Sequence, residues 1–223
     1  MSNQPFIIAI DGTAGVGKGT LAKRLAGHFN LAHLDTGALY RALAAKALES
    51  GISLNDVEAL VYLAGDLSSP DFEHPHLRTQ EMGEMASKIS AHAPVRQALF
   101  NYQRDFALNP PSGFSGTVLD GRDIGTVIVP ETPYKVFLTA SPEIRAQRRL
   151  DQLGDSLKSY DEVLQEIRER DIRDQMRTVA PLKPACDAYI LDTSHLNEDE
   201  VLDCVITFVR KTSHKVNDSS SVG

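Results

Sequence analysis

The stretch that most constrains this chain is FIIAIDGTAGVGKGTLAKRLAGHF, residues 6–29. Residues 6–10 are wholly apolar, the pattern of a strand buried on both faces, as in a parallel sheet. Leu21, Leu25 and Phe29 recur at a spacing of four, so residues 18–29 read as a helix with one apolar face. Between the two lies G-x-x-x-x-G-K: Gly12, Gly17 and Lys18. A strand, such a loop and a helix, in that order, make a phosphate loop. Backbone N–H groups that converge on phosphate oxygens need backbone angles and clearance that a Cβ obstructs, so glycine is concentrated there. The helix adds its positive N-terminal end, and Lys18 reaches the terminal phosphates. The alternative for the loop is a tight turn with an exposed lysine. Gly19 stands where the common motif has Ser or Thr, which leaves Thr20 as the hydroxyl near phosphates or metal.

The alternation of strands and helices continues. Helices are expected at residues 36–48, 54–67 (capped by Ser53 or Asn55) and 79–108, the last broken at residues 91–94 around Pro94. Strands are expected at residues 117–120, 135–139 and 188–192. Ser141 and Pro142, with Glu143 in the first turn, start another helix. A charged helix at 160–177 and an amphipathic one at 198–211 follow. Residues 68–76 read as irregular, 110–113 as a loop and 213–223 as a disordered tail. The order argues an α/β fold with a parallel sheet, and 223 residues suit one domain.

Composition removes some classes of partner. A net charge of −7 argues against nucleic acid or an anionic membrane, but not against a small anion met by a local arginine cluster. Cys186 and Cys204 lack metal-ligand spacing and read as buried or idle reduced thiols. No apolar run reaches membrane-spanning length. Residues 1–11 lack a basic n-region, and their apolar part is too short for a signal peptide. A cytoplasmic protein is expected.

Three further segments carry charge in patterns that suit phosphate chemistry. In TVLDGRDIGTVI (117–128) an apolar strand ends at Asp120, and the C-terminal ends of strands are where open α/β sheets bind ligands. Asp120 suits a hydrated Mg²⁺, and Arg122 and Asp123 project from the turn that Gly121 permits. A solvated turn has the same letters. In LDTGALYR (34–41) Thr36 is placed to cap a helix, with Arg41 further along it; a surface arginine is the alternative. In EIRERDIRDQMRTVAPL (166–182) Arg170, Asp174 and Arg177 fall on one helix face, as they also would in a solvated salt-bridged helix. Phosphoryl transfer between nucleotides needs positioning and charge compensation more than covalent chemistry. The acceptor phosphate is already an anionic nucleophile, so arginines should outnumber bases. Arg41, Arg96, Arg122, Arg170 and Arg177 fit that need.

Taken together, the blocks IDGTAGVGKGT, LDTGALYR, RTQEMGEMASKIS with PVR, DGRDIGTVIVPE, ERDIRDQMRTVAPL and DAYILDTS resemble the bacterial cytidylate kinases, from Phe6 to about Lys211. The GKGT ending is similar to the loop of nucleoside monophosphate kinases. The resemblance implies that family's fold: a core five-stranded parallel sheet flanked by helices (about 5–35, 110–145 and 185–212), an acceptor-binding segment (about 36–109) and a helical lid (about 146–180). It implies transfer from ATP, with Mg²⁺, to CMP or dCMP. Gly12, Thr13, Ala14, Gly15, Val16, Gly17, Lys18, Gly19 and Thr20 would hold the ATP phosphates. Thr36, Arg41, Arg122 and Arg177 would surround the acceptor phosphate. Ser87, Arg96 and Asp123 would read the cytosine edge, and Arg170 and Asp174 would meet the ribose. Arg148 or Arg149 would neutralise the transferring group, and Asp120, through water, with Thr20 would attend the metal. Asp123 would accept from N4 of cytosine, where uracil presents an acceptor instead. A monomer is expected, with no nucleic-acid or membrane partner. The competing expectations are a kinase of the same fold for UMP, AMP, dTMP or shikimate, and a phosphate-loop ATPase that transfers nothing to a second substrate. The chain lacks the N/T-K-x-D base-reading motif of GTPases. Many family members carry a longer insert before the RTQE block, which leaves open how the acceptor side closes and how strongly CMP is preferred.

Overall fold

The computed structural model describes residues 5–68, 71–72, 77, 79–154 and 158–220. The elements run β1 (Phe6–Gly12), α1 (Lys18–Phe29), β2 (Ala32–Asp35), α2 (Thr36–Glu49), α3 (Val57–Gly65), α4 (Gln80–Ile89), α5 (Ala93–Leu108) and β3 (Gly116–Gly121). A π-helical turn (Ile124–Ile128) follows, then β4 (Tyr134–Thr139), α6 (Pro142–Leu153), α7 (Tyr160–Gln175), β5 (Tyr189–Asp192) and α8 (Glu198–Ser220). The five strands form one sheet in the order β2-β3-β1-β4-β5, every pair parallel. The phosphate loop therefore follows the central strand of a parallel α/β sheet. The C-terminal ends of all the strands share one edge, so Gly12, Asp35, Asp120 and Gly121 are brought together there.

Two apolar layers cover the sheet. On one face Ile8, Ile10, Val118 and Leu138 pack against Leu21 and Leu25 of α1 and Val205 and Val209 of α8. On the other, Ile7, Ala9 and Leu119 meet Ala107 of α5 and Ile124, Ile128 and Val129. A further core, built from α2 to α5 around Leu39, Leu43, Leu60, Ile89 and Leu99, stands beside the sheet. It makes α2 to α5 a packed unit with apolar contacts of its own.

The structure corrects several expectations. Ala32–Asp35 is a strand, too short and too mixed in polarity for its sequence to announce it. The cap of α3 is Asp56, whose side chain accepts from the Ala59 N–H at 3.1 Å, rather than Ser53 or Asn55. The break at residues 91–94 separates α4 from α5, with Pro94 in the first turn of α5, where no intrahelical N–H is lost. Residues 213–220 are helical, not a disordered tail. Extending an existing helix costs far less than starting one, and the Ser213 hydroxyl lies 3.0 Å from the Tyr134 hydroxyl. Residues 221–223, most of the 68–76 stretch and Arg78 lie outside the described residues. Both cysteines are free thiols, but Cys186 is exposed and Cys204 half-buried. Among the described residues no helix is long and apolar enough to cross a membrane.

Candidate active site

The phosphate loop leaves β1 at Gly12, where a Cβ would run into the carbonyl oxygen of Leu138 on β4. Gly17, at φ +91°, turns the chain into α1 through the left-handed region. Gly19 differs: its φ is ordinary for a side chain and a Cβ there would meet no atom within 4 Å. Neither fold nor neighbours demand glycine at that position in the free protein. Lys18 is buried, and its Nζ donates back to the Thr13 carbonyl at 2.7 Å. Burial first, then the Arg122 guanidinium, pulls its pKa well below that of an ordinary lysine. The Thr13 hydroxyl is buried with no hydrogen-bond partner among the described residues. Gly15 and Thr20 line all three of the cavities that border the loop, of about 370, 400 and 450 Å³.

The first cavity lies between the loop, the ends of β2 and β3, and helices α2, α4, α5 and α7. Every residue expected on the acceptor side lines it: Thr36, Arg41, Ser87, Arg96, Arg122, Asp123, Arg170, Asp174 and Arg177. Asp174 is its electrostatic centre. Arg122 Nε donates to Asp174 Oδ2 at 2.9 Å, Arg177 binds Oδ1, and the Ser87 hydroxyl donates to Oδ1 at 3.3 Å. Burial alone would raise the Asp174 pKa, but Arg122, Arg177 and Arg170 outweigh it and hold the carboxyl well below the usual range. Among the described residues Arg170 has no partner for its Nε, and burial, followed by repulsion from Arg122, lowers its pKa to about 10. Arg177 Nε is likewise buried and unpartnered. Three guanidiniums facing one carboxylate leave an excess of positive charge, which a phosphate would satisfy. The helix α7 ends at Gln175, so Arg177 sits just past it, yet its side chain turns back to Asp174.

The same cavity holds Arg96 and Asp123, which form a buried ion pair. Arg96 also donates to the Ser90 carbonyl at 3.3 Å and lies over the Tyr40 ring, 5.7 Å from its centroid. The Tyr40 hydroxyl is buried with no hydrogen-bond partner among the described residues. Ser87 is approached by Arg173 of α7, whose Nε donates to its hydroxyl at 3.0 Å while Nη2 reaches Glu84 at 2.7 Å. Nearer the loop, Thr36 does not cap α2. That role belongs to Asp35, which accepts from the Ala38 N–H at 3.1 Å and pairs with Arg41 at 2.6 Å. The Thr36 hydroxyl instead donates to the Asp120 carbonyl at 2.8 Å and ties α2 to the end of β3.

Sequence reasoning missed several residues. Asp11, on β1, accepts from the N–H groups of Ile124 and Gly125 at 2.7 and 2.8 Å, and so fixes the turn that follows Asp123. Burial raises its pKa to about 7 against the pull of those two bonds. His33 lies 2.7 Å from Asp120 Oδ2. Tyr40 and Arg173, which support Arg96 and Ser87, were also unmarked. A lone residue beside a motif gives no signal of the partner that the fold brings to it. The two arginines midway along α6 divide: Arg148 lines the second and third cavities and donates to Thr193 at 2.5 and 3.2 Å, whereas Arg149 lines the second only.

Comparison with known proteins gives a consistent result. The family model described as cytidylate kinase matches residues 8–211. A cytidylate kinase of Azorhizobium caulinodans is 50% identical over 208 residues, which cover 92% of this chain and 98% of that protein. One from Rhodospirillum rubrum is 46% identical over 213 residues, 94% of this chain and 100% of the relative. Among solved structures, an uncharacterized protein from Eubacterium ventriosum shares the fold, with a TM-score of 0.55 at 16% identity over 93% of this chain and 99% of that one.

Proposed function

The chain belongs to the cytidylate kinase family, and on that premise we propose that it phosphorylates CMP and dCMP with ATP, yielding CDP or dCDP and ADP. One observation carries the reading. A cavity beside the phosphate loop holds a three-arginine cluster around Asp174 and, in the same lining, the buried Arg96–Asp123 pair. The first suits a phosphate and sugar, the second the edge of a base.

In this reading ATP lays its phosphates in the loop, within reach of Lys18. The acceptor phosphate lies among Thr36, Arg41, Arg122 and Arg177, its ribose against Arg170 and Asp174. Asp123 accepts from N4 of cytosine, and Arg96 and Ser87 donate to N3 and O2. Uracil would set an acceptor against the Asp123 carboxylate, which a hydrogen-bonding site rejects strongly. An acceptor phosphate oxygen attacks the γ-phosphorus in line, and the bond to the bridging β-oxygen breaks, releasing ADP. No general base is needed, because the nucleophile is already ionised. Asp120 is a hard oxygen donor on the cavity wall, with His33 on its Oδ2, so it suits a hydrated Mg²⁺, with Thr20 in the same lining. That ion, when bound, offsets charge on the β- and γ-phosphate oxygens.

The third cavity, between the loop, α6 and the start of α8, suits the base and sugar of ATP, with Arg148 along its wall. Both arginines line the second cavity, between the loop and α7, but Arg148 is held to Thr193, which makes Arg149 the better candidate to meet the transferring phosphoryl group. Helices α6 and α7 act as the lid, and α2 to α5 as the acceptor-binding segment. The reading takes the protein to act as a monomer. Free Cys186 and Cys204 suit a reducing cytoplasm. The test is ADP formation from ATP with CMP, dCMP, UMP, AMP and dTMP each supplied as acceptor. CMP and dCMP should stimulate it well beyond the other three. Background rates with CMP and dCMP would remove the reading in favour of an ATPase, and a preference for AMP or dTMP would move it to another kinase of this fold.

A further inference from the structure

Arg145, in α6, is only 2% exposed and heads the fully buried side chains by volume. Its guanidinium binds three separate segments. Nε donates to the Ala140 carbonyl just beyond β4 at 3.0 Å. Nη1 donates to the Ala14 carbonyl in the phosphate loop at 3.2 Å. Nη1 and Nη2 together grip both oxygens of Asp171 on α7, at 3.0 and 2.5 Å. A two-pronged pair of this kind fixes the plane of the guanidinium as well as its position. A charge this deeply buried is costly unless fully paired, and here each nitrogen has a partner.

The consequence falls on the loop. A trans peptide points its C=O and its N–H to opposite sides. Holding the Ala14 carbonyl on Arg145 therefore aims the Gly15 N–H away from Arg145, and Gly15 lines all three cavities. Asp171 lies one residue from Arg170 and three from Asp174, both in the acceptor cavity. We propose that Arg145 is a positioning residue for the donor site: it orients the Ala14–Gly15 peptide and, through Asp171, makes that orientation depend on α7. Donor-loop geometry and the placement of the acceptor-side arginine and aspartate are then joined by one side chain. Coupling of this kind is reciprocal, so whatever factor filling one site applies to the other's affinity is returned in full. The proposal rests on the loop being the ATP site, which ATP binding to the unaltered protein checks separately.

The experiment uses the Asp171 variants first, because Asp171 reaches the loop through Arg145. Asp171→Asn should raise the KM for ATP about tenfold, with kcat lowered by less than about threefold. Amide exchange across residues 13–17 should quicken in the free variant. Asp171→Glu should recover most of the ATP affinity. Arg145→Lys should act in the same direction, and the double variant should be no worse than the poorer single one. A merely structural pair gives a different pattern. Lower melting temperatures with ATP KM and loop exchange unchanged in Asp171→Asn would overturn the proposal. So would additive effects of the two substitutions.

Discussion

Arg122 donates to Asp174 at 2.9 Å and so joins the end of β3 to α7 across 52 residues of sequence. Arg177 takes the other carboxylate oxygen, and Arg170 adds a third positive charge nearby. In the free protein Asp174 stands where it can hold three arginines together until a phosphate arrives. Asp174→Asn should leave them mutually repelling, at a cost of about 3 kcal/mol in stability, and should raise the KM for CMP by about tenfold or more. Because the folded-state pKa is depressed, the stabilisation is present above the ordinary carboxylate range and is lost as pH falls through the lowered value. Chemical unfolding between pH 3 and 7 checks this: the gap between the wild type and the variant should hold down to about pH 4 and narrow only in stronger acid. A gap that is small at pH 7 would show that Asp174 does not organise the cluster.

Asp11 titrates with the opposite sign. Burial raises its pKa to about 7, so its contribution is fully present below the ordinary value of 3.8 and fades as pH rises through about 7. Asp11→Asn has one acceptor oxygen for two backbone N–H groups and should lose about 1–2 kcal/mol at pH 5. The penalty should shrink or reverse at pH 8, where the wild type buries a charged carboxylate. Unfolding free energies at the two pH values decide it, and an equal penalty at both would contradict the account.

Lys18 is a buried amine whose charge the free protein disfavours. Lys18→Ala should lower turnover by about two to three orders of magnitude, since charge compensation in transfer is lost. It should leave the melting temperature unchanged or higher, because a group costly to bury has been removed. Near-normal turnover would mean that the loop is not where ATP is held.

The two lid arginines should separate kinetically. Arg149→Ala should chiefly lower kcat, by about 10²-fold, as expected for a contact made to the transferring group. Arg148→Ala, which loses its bonds to Thr193 beside the third cavity, should chiefly raise the KM for ATP. The reverse pattern would exchange their roles.

Much of the fold was legible because local signals agreed with it. The apolar run of β1, the glycine-rich loop and the spacing of Leu21 and Leu25 placed the first strand–loop–helix unit. The blocks around Arg122 and Arg170 fell on the edges where the sheet gathers its C-terminal ends. What stayed hidden depends on distant partners. β2 is four residues of mixed polarity that become a strand through pairing with β3. Thr36 reads as a helix cap, yet its hydroxyl serves Asp120, which arrives from β3. Asp11 and His33 belong to no charge pattern, and Arg145 opens the basic run RAQRR without any sign of its partners; each is tied to a group more than twenty residues away. Gly19 marks a subfamily in sequence but answers no steric need in the free fold.

The account turns on how the acceptor base is read, and the structure of the protein with CMP bound tests that most directly. The N4 amino group should lie within hydrogen-bonding distance of the Asp123 carboxylate, with the Arg96 guanidinium, still over the Tyr40 ring, donating to N3 or O2. An N4 group that faces solvent, or that is met by another side chain while Asp123 remains paired only with Arg96, would contradict it.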